Sequence, residues 1–270
     1  MTSFTLTKHH GLGNDFLVLV DLDGVHPVDA LVARALCDRH RGVGADGVIR
    51  VTAGTEGADV TMQLRNADGS LAEMSGNGIR CLAQAVHGAG LVDGLNLTVA
   101  TAAGVRRLTL RGGDGPAVVQ VSVDMGPARI GPEEPQPTPG RGVRPVDMGN
   151  PHLVVWGPAF TTEDVLGMGP QIEARTAGGV NVEFVTLGPA ADELTMRVWE
   201  RGVGETQACG TGACAAAAAA HEWGLVGPRV VVHQPGGDAE VEIRPDTVIL
   251  TGPSELVARV EVDLDEVTAR

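Results

Sequence analysis

The feature that most constrains this chain is that its sequence is written twice. The segment Met62–Gly78, MQLRNADGSLAEMSGNG, aligns without a gap to Met196–Gly212, MRVWERGVGETQACGTG, at an offset of 134 residues. Gly13-Asn14-Asp15 recurs as Gly149-Asn150-Pro151 at an offset of 136, and Gly44-Ala-Asp-Gly-Val-Ile as Gly179-Val-Asn-Val-Glu-Phe at 135. Half of the 270 residues is 135, so three repeated segments in one order share one period. A repeat of this length predicts two homologous halves meeting at a pseudo-twofold axis. The expected boundaries are residues 1–125, joined by a C-terminal strand 258–270, for the first half and 126–257 for the second. The seam is placed in the Gly/Pro-rich stretch Gly126 to Gly142, where Pro127, Pro132, Pro135, Pro137 and Pro139 cluster.

Within each half, alternating apolar and polar residues predict short strands, as in Ala117–Val123 and Ala239–Ile243, and the run Val230–Val232 predicts a buried one. Each half also carries one strong helix signal, from about Gly78 to His87 and from about Gly212 to Glu222. Both begin directly after a small-Gly-x-Gly element, Ser75-Gly-Asn-Gly78 and Cys209-Gly-Thr-Gly212. The expected class is therefore α+β, two strand-rich halves each wrapped around one main helix.

Composition narrows the function. The formal net charge of −14 makes the chain a poor electrostatic partner for nucleic acid or an anionic membrane surface. With no tyrosine, three tryptophans and four phenylalanines there are few platforms on which bases could stack. Glycine, 38 residues or about twice the usual share near 7%, signals tight turns and close backbone approaches rather than disorder. Lys8 is the single lysine; the other nineteen basic residues are arginine. A pyridoxal phosphate enzyme holds its cofactor as a Schiff base on lysine, so such a mechanism would hang on Lys8 alone. Cys37, Cys81, Cys209 and Cys214 form no CxxC pair, and no His-x-x-x-His occurs, so no metal site is expected. No apolar run is long enough to span a bilayer and no signal-peptide pattern opens the sequence, so a cytoplasmic protein is expected.

The paired helix starts carry the chemistry. A helix N-terminus offers N–H groups without intrahelical acceptors and a positive dipole end, which together make an anion site. Two related by a pseudo-twofold could address one carboxylate from opposite sides. Ser75 and Cys209 stand just before the two turns. A cysteine there is expected to have its thiolate stabilised and its pKa lowered. Two such groups on opposite faces of an α-carbon describe a cofactor-independent racemase or epimerase: one removes the proton, the other returns it. The scheme needs no lysine.

At these residues a specific resemblance appears. Gly13-Asn-Asp-Phe16, Arg65-Asn-Ala-Asp-Gly69, Met74-Ser-Gly-Asn-Gly-Ile-Arg-Cys81, Met148-Gly-Asn-Pro-His152 and Glu200-Arg-Gly-Val-Gly-Glu-Thr-Gln-Ala-Cys-Gly-Thr-Gly212 resemble diaminopimelate epimerase, in order over nearly the whole chain. The resemblance implies two similar β-barrel-like domains, each around a central helix, with the active site in the cleft between them. It implies interconversion of LL- and meso-diaminopimelate by two cysteines without a cofactor, in a homodimer. Carried over by position, Cys209 is one catalytic thiol, and Gly76, Asn77, Gly210 and Thr211 bind the reacting carboxylate. Asn14, Asn66, Asn150, Asn181 and Arg201 hold the distal amino acid group and its flanks. His152 and Glu200 assist at the reacting ammonium and carboxylate.

The sequence departs from that family at its first catalytic cysteine, which here is Ser75. A hydroxyl is a far weaker acid than a thiol and needs help from a neighbour. Cys81 lies six residues on, about 240° around the helix and roughly 9 Å along it, and is assigned with Cys214 to the helix core. Gly47 stands where some family members carry a substrate-contacting glutamine. Three readings of Ser75 stand: a Ser/Cys epimerase, a related branch acting on another amino acid such as a hydroxyproline by epimerisation or dehydration, or a cysteine replaced by serine. A catalytically impaired amino acid-binding homologue is the alternative outside the enzymes.

Overall fold

In the computed structural model, which describes residues 3–92, 94–112, 117–133 and 142–263, the chain divides into two units, residues 1–123 with 253–270 and residues 124–252. Pro135, Pro137, Pro139, Glu134 and the end of the expected C-terminal strand lie outside the described residues.

The first unit runs β1 (Ser3–Gly11), β2 (Asn14–Val20), α1 (Ala30–Cys37), β3 (Gly47–Ala53), β4 (Val60–Asn66), β5 (Leu71–Ala72), α2 (Gly76–Gly88), β6 (Asn96–Thr101), β7 (Gly104–Arg111) and β8 (Val118–Asp124). β1 and β2 form an antiparallel hairpin; β3 returns parallel to β2; β4 is antiparallel to β3; β6 is parallel to β4; β7 and β8 continue antiparallel. The final strand of the chain closes the ring. Its Leu256 N–H donates to the Ala117 carbonyl, and its residues Glu255–Asp263 pair with β1.

The second unit runs β9 (Arg129–Ile130), β10 (Gly142–Asp147), β11 (Pro151–Trp156), α3 (Thr162–Arg175), β12 (Asn181–Leu187), β13 (Glu193–Glu200), β14 (Gly204–Thr206), α4 (Gly210–Glu222), β15 (Arg229–Gln234), β16 (Gly237–Ile243) and the first part of β17 (Val248–Asp263). From β10 onward its pairings repeat those of the first unit one for one: antiparallel, parallel, antiparallel, a short antiparallel strand, a parallel return and two antiparallel strands. Met125 and Gly126 exchange backbone hydrogen bonds with Val248 to close it. The architecture is α+β, two strand-rich units with few helices.

The predicted strands appear as β8 and β16. Val230–Val232 falls in β15, but Val231 is only half-buried, so this strand alternates rather than being buried throughout. The two predicted helices begin two residues earlier than expected, since each Gly-x-Gly element is itself the first helical turn. Sequence patterning missed α1 and α3. α1 is only eight residues long, and α3 carries Gly167, Gly169 and Pro170, which blur a helical signal. Each of these helices caps a core of its own unit: Val32, Ala33 and Leu36 pack on Leu6, Leu17 and Val48, while Val165 packs near Val182 and Phe184.

The central helices differ in texture. α2 is buried from Gly76 to Val86 and fills its unit with Ile79, Leu82, Val86 and the fully buried Arg80. α4 is buried from Gly210 to Ala220 and is alanine from Ala215 to Ala220. Cys81 and Cys214 are fully buried in the two helices, as expected for helix-core residues, and none of the four cysteines forms a disulfide. Among the described residues no helix is long and apolar enough to cross a membrane.

Candidate functional site

In the first unit the helix start is built on Ser75, whose extended backbone (φ −139°, ψ 119°) makes it the N-cap of α2. The Gly78 N–H donates to its Oγ at 3.0 Å, so the hydroxyl satisfies one of the donors left over at a helix start. Behind it, Arg80 spans the first turn. Its guanidinium donates to the Gly76 carbonyl at 2.9 Å, to Asn77 Oδ1 at 2.7 Å and to the Pro253 carbonyl at 3.2 Å. Asn77, 2% exposed, passes a hydrogen bond from Nδ2 to Asn14 Oδ1 at 3.3 Å, and Asn14 Nδ2 donates to Asp46 at 2.8 Å. Asn14, Asn77 and the α2 start are thus one connected set. Asn66 is not joined to it. Its Nδ2 donates to Ser70 Oγ at 3.0 Å within the turn after β4, and it faces Gly47 across the ladder.

Asn14 is backed by an ion cluster. Asp15 lies 2.9 Å from Lys8 Nζ and 2.7 Å from Arg39, which also pairs with Asp46 at 2.7 Å. Burial opposes ionisation of Asp15, but the Arg39 and Lys8 contacts outweigh it and hold the carboxyl at about 2. Lys8 donates further to the Gly44 carbonyl at 2.6 Å. The single lysine is committed to holding loops together.

In the second unit Cys209 repeats the role of Ser75. It is the N-cap of α4 (φ −127°, ψ 116°), and the Gly212 N–H donates to its Sγ at 3.3 Å. Thr211 Oγ1 lies 3.5 Å from the sulphur, and the Cys209 N–H donates to Gln234 Oε1 at 2.8 Å. Among the described residues the N–H groups of Gly210 and Thr211 have no acceptor, which leaves the anion-binding face of this helix start available. The expected lowering of the thiol pKa is overturned. Burial at 7% exposure, with the nearby carboxylates of Glu200 and Glu183, pushes it well above its ordinary value; the hydrogen bonds from Thr211 and Gly212 act the other way and do not prevail.

The remaining predicted residues of this unit fall into two groups. His152, 1% exposed, contacts Asn150 Oδ1 through Nε2 at 3.0 Å, and Asn150 Nδ2 donates to Thr211 Oγ1 at 3.4 Å, so these three lead to the sulphur. Asn181 instead clamps backbone: Nδ2 donates to the Pro151 carbonyl at 3.0 Å, and Oδ1 accepts from the Arg201 N–H at 3.0 Å. Glu200 accepts from the Thr206 hydroxyl. Arg201 is exposed, and its stem packs where a side chain on Gly179 would sit. A bidentate carboxylate ligand suits its guanidinium fork.

Sequence reading missed two polar residues here. Gln234 secures the Cys209 amide, and nothing in its strand pattern marks it. Glu183, fully buried, meets His152 Nδ1 at 2.7 Å; it lies in the repeated Gly179–Phe184 segment, whose pattern marks the repeat and not a polar contact. Among the described residues no group of acidic, histidine and cysteine side chains could hold a metal.

Comparison with known proteins places these geometries in context. The diaminopimelate epimerase family profile matches residues 6–131 and 145–257. Diaminopimelate epimerase of Corynebacterium glutamicum is 43% identical over 276 residues, covering 95% of this chain and 97% of the relative. That of Pelotomaculum thermopropionicum is 44% identical, covering 93% and 96%. Among solved structures, a predicted epimerase from Pseudomonas aeruginosa superposes with a TM-score of 0.74 at 21% identity, covering 96% of this chain and 98% of its own. A hydroxyproline epimerase from Agrobacterium vitis superposes at 0.72 and 17% identity, covering 97% and 93%. At such identities the structures speak to fold alone.

Proposed function

The chain belongs to the diaminopimelate epimerase family, and from that premise we propose that it interconverts LL- and meso-2,6-diaminopimelate using only its own side chains. It is an isomerase. The observation that supports this best is the start of α4, where a cysteine sulphur and the two open N–H groups of Gly210 and Thr211 stand side by side. That is a proton carrier next to a carboxylate cradle.

In this reading Cys209 transfers the α-proton on one face of the carbon and Ser75 serves the other, directly or through a water. Negative charge developing on the α-carboxylate is met by the N–H groups of Gly210 and Thr211 and by Gly76 and Asn77. His152 and Glu200 act at the ammonium and carboxylate of the reacting end, while Arg201, Asn14, Asn66, Asn150 and Asn181 hold the distal end. The raised thiol pKa has a place in this scheme. Without substrate Cys209 is a neutral thiol, a proton donor; the incoming ammonium offsets the Glu200 and Glu183 carboxylates and brings the thiolate within reach. No step requires pyridoxal phosphate or a metal. The role belongs to lysine and peptidoglycan-precursor synthesis in the cytoplasm, carried out by a homodimer as in the family.

The test is proton exchange. Purified protein in deuterated water with LL-diaminopimelate should incorporate deuterium at the α-carbon and form the meso isomer, read by NMR. Binding without exchange would instead make this an amino acid-binding homologue, and turnover of hydroxyproline in its place would move the substrate.

A further inference from the structure

Glu183 is the least explained polar group in the second unit. It sits on β12 with its side chain fully buried, and its Oε2 has no hydrogen-bond partner among the described residues. Burying a carboxylate with one oxygen unsatisfied is costly unless the other oxygen has a strong partner. That partner is His152 Nδ1 at 2.7 Å, also fully buried. The carboxylate also lies against the start of α4: a Cβ on Gly212 would come within 2.7 Å of Glu183 Oε1 and 3.2 Å of Cys209 Sγ.

The proton count along this line of contacts is tightly constrained. His152 Nε2 faces Asn150 Oδ1, an acceptor, so Nε2 carries a proton. Asn150 is held in that orientation because its Nδ2 donates to Thr211 Oγ1. The threonine hydroxyl, having accepted there, keeps its own proton for Cys209 Sγ. At the other end, one proton lies between Nδ1 and Glu183 on the 2.7 Å bond. The donors therefore all point one way, from His152 through Asn150 and Thr211 to the sulphur, and polarise one another.

We propose that Glu183 is a positioning residue: its carboxylate holds His152 Nδ1 and so fixes the ring with Nε2–H turned to Asn150 Oδ1, aiming a chain of donors at Cys209. The inference goes beyond the functional reading above and rests on it only for the effect on turnover. Two titratable groups act on the thiol, Glu200 on β13 and Glu183 on β12, and the carboxylate of each disfavours the thiolate. That gives a test of opposite signs. If Glu183 were merely a charge near the sulphur, removing it would lower the thiol pKa; if it aims the donor chain, removing it raises the pKa.

Glu183→Met keeps volume and removes both charge and hydrogen bond, whereas Glu183→Gln can still donate an amide proton to Nδ1. Alkylation of Cys209 by iodoacetamide is followed against pH, with kcat and KM for diaminopimelate measured alongside. Glu183→Met should raise the apparent thiol pKa and cut kcat at least about tenfold, part of the roughly 10²–10⁴ that positioned proton transfer supplies. KM should change less than kcat, since Glu183 itself is not placed at the substrate and acts through the residues that are. Glu183→Gln should restore both readouts part of the way. A fall in thiol pKa in both variants overturns the proposal. Should Glu183→Met not fold, nitrogen-15 histidine NMR of the unaltered protein decides: Nε2 of His152 should stay protonated from pH 6 to 9, and a deprotonated Nε2 defeats the idea. Neither the alkylation nor the NMR depends on which amino acid is turned over.

Discussion

The ammonium of Lys8 lies 2.9 Å from the carboxylate of Asp15, the residue next to Asn14. The pair holds the β1–β2 hairpin against the Gly44 loop and, with Arg39, keeps Asp15 ionised down to about pH 2. A group whose folded pKa lies below its unfolded value near 3.8 contributes stability that is present above about pH 4 and lost as pH falls towards 2. Asp15→Asn should therefore lower stability at pH 7 by roughly 2 kcal/mol, at about 1.4 per pKa unit, and flatten the acid limb of denaturant midpoints between about pH 4 and 2. An unchanged acid limb would assign acid sensitivity elsewhere.

Cys209→Ala should abolish α-deuterium exchange, because no other described side chain is placed to carry the proton at the start of α4. The same change removes the N-cap and should cost about 0.5–2 kcal/mol of stability. Cys209→Ser separates the two effects: it keeps a cap, so thermal stability should hold while exchange slows with the weaker acid. Undiminished exchange in Cys209→Ala refutes the assigned base.

Ser75→Cys is expected to raise kcat, with a thiol replacing a much weaker acid at a start of the same geometry. Steady-state assays should show the gain chiefly in kcat. A fall would mean that the first unit is tuned around a hydroxyl.

Gly212→Ala should disrupt the second helix start without unfolding the protein, since alanine is otherwise the better helix residue. The new methyl would press on Glu183 Oε1 and Cys209 Sγ, so kcat should fall by about tenfold or more, as expected when a proton-transfer group is displaced. Full activity with an unchanged melting temperature would show that the carboxylate can retreat.

His9 supplies a pH effect of the same sign in a higher window. Burial disfavours its cation, Arg259 and His10 add to this, and the Gln84 contact only partly offsets them, so its pKa falls below the ordinary 6.5. The unfolded chain then binds a proton that the folded one refuses, and stability should decline as pH drops below about 6.5. His9→Gln should blunt that decline in urea titrations at pH 5 to 7.

Much of this was legible in the sequence for a physical reason: chemistry at a helix start depends on local backbone, which a short motif encodes. Ser75 and Cys209 announce their positions through the glycines that follow them. The partners that set their energetics come from elsewhere in the chain. Gln234 and Glu183 lie 25 and 26 residues from Cys209, and only the β-ladders bring them to it, so spacing gave no hint of either. The pKa of Cys209 went the wrong way for the same reason. The helix start is a local property, while burial and the field of the Glu200 and Glu183 carboxylates are set by the fold. Helices α1 and α3 escaped because one is short and the other is interrupted by glycine and proline.

The hydroxyl that caps α2 has a consequence for how this chain could come to lack a thiol at position 75. Serine is among the strongest N-capping residues, whereas sulphur accepts hydrogen bonds only weakly. A serine there leaves the central helix of the first unit as firmly started as before, or more so. The folding of that unit and the acidity of its proton carrier are therefore separable traits. Selection can alter the second without the first registering the change, and only turnover would reveal it.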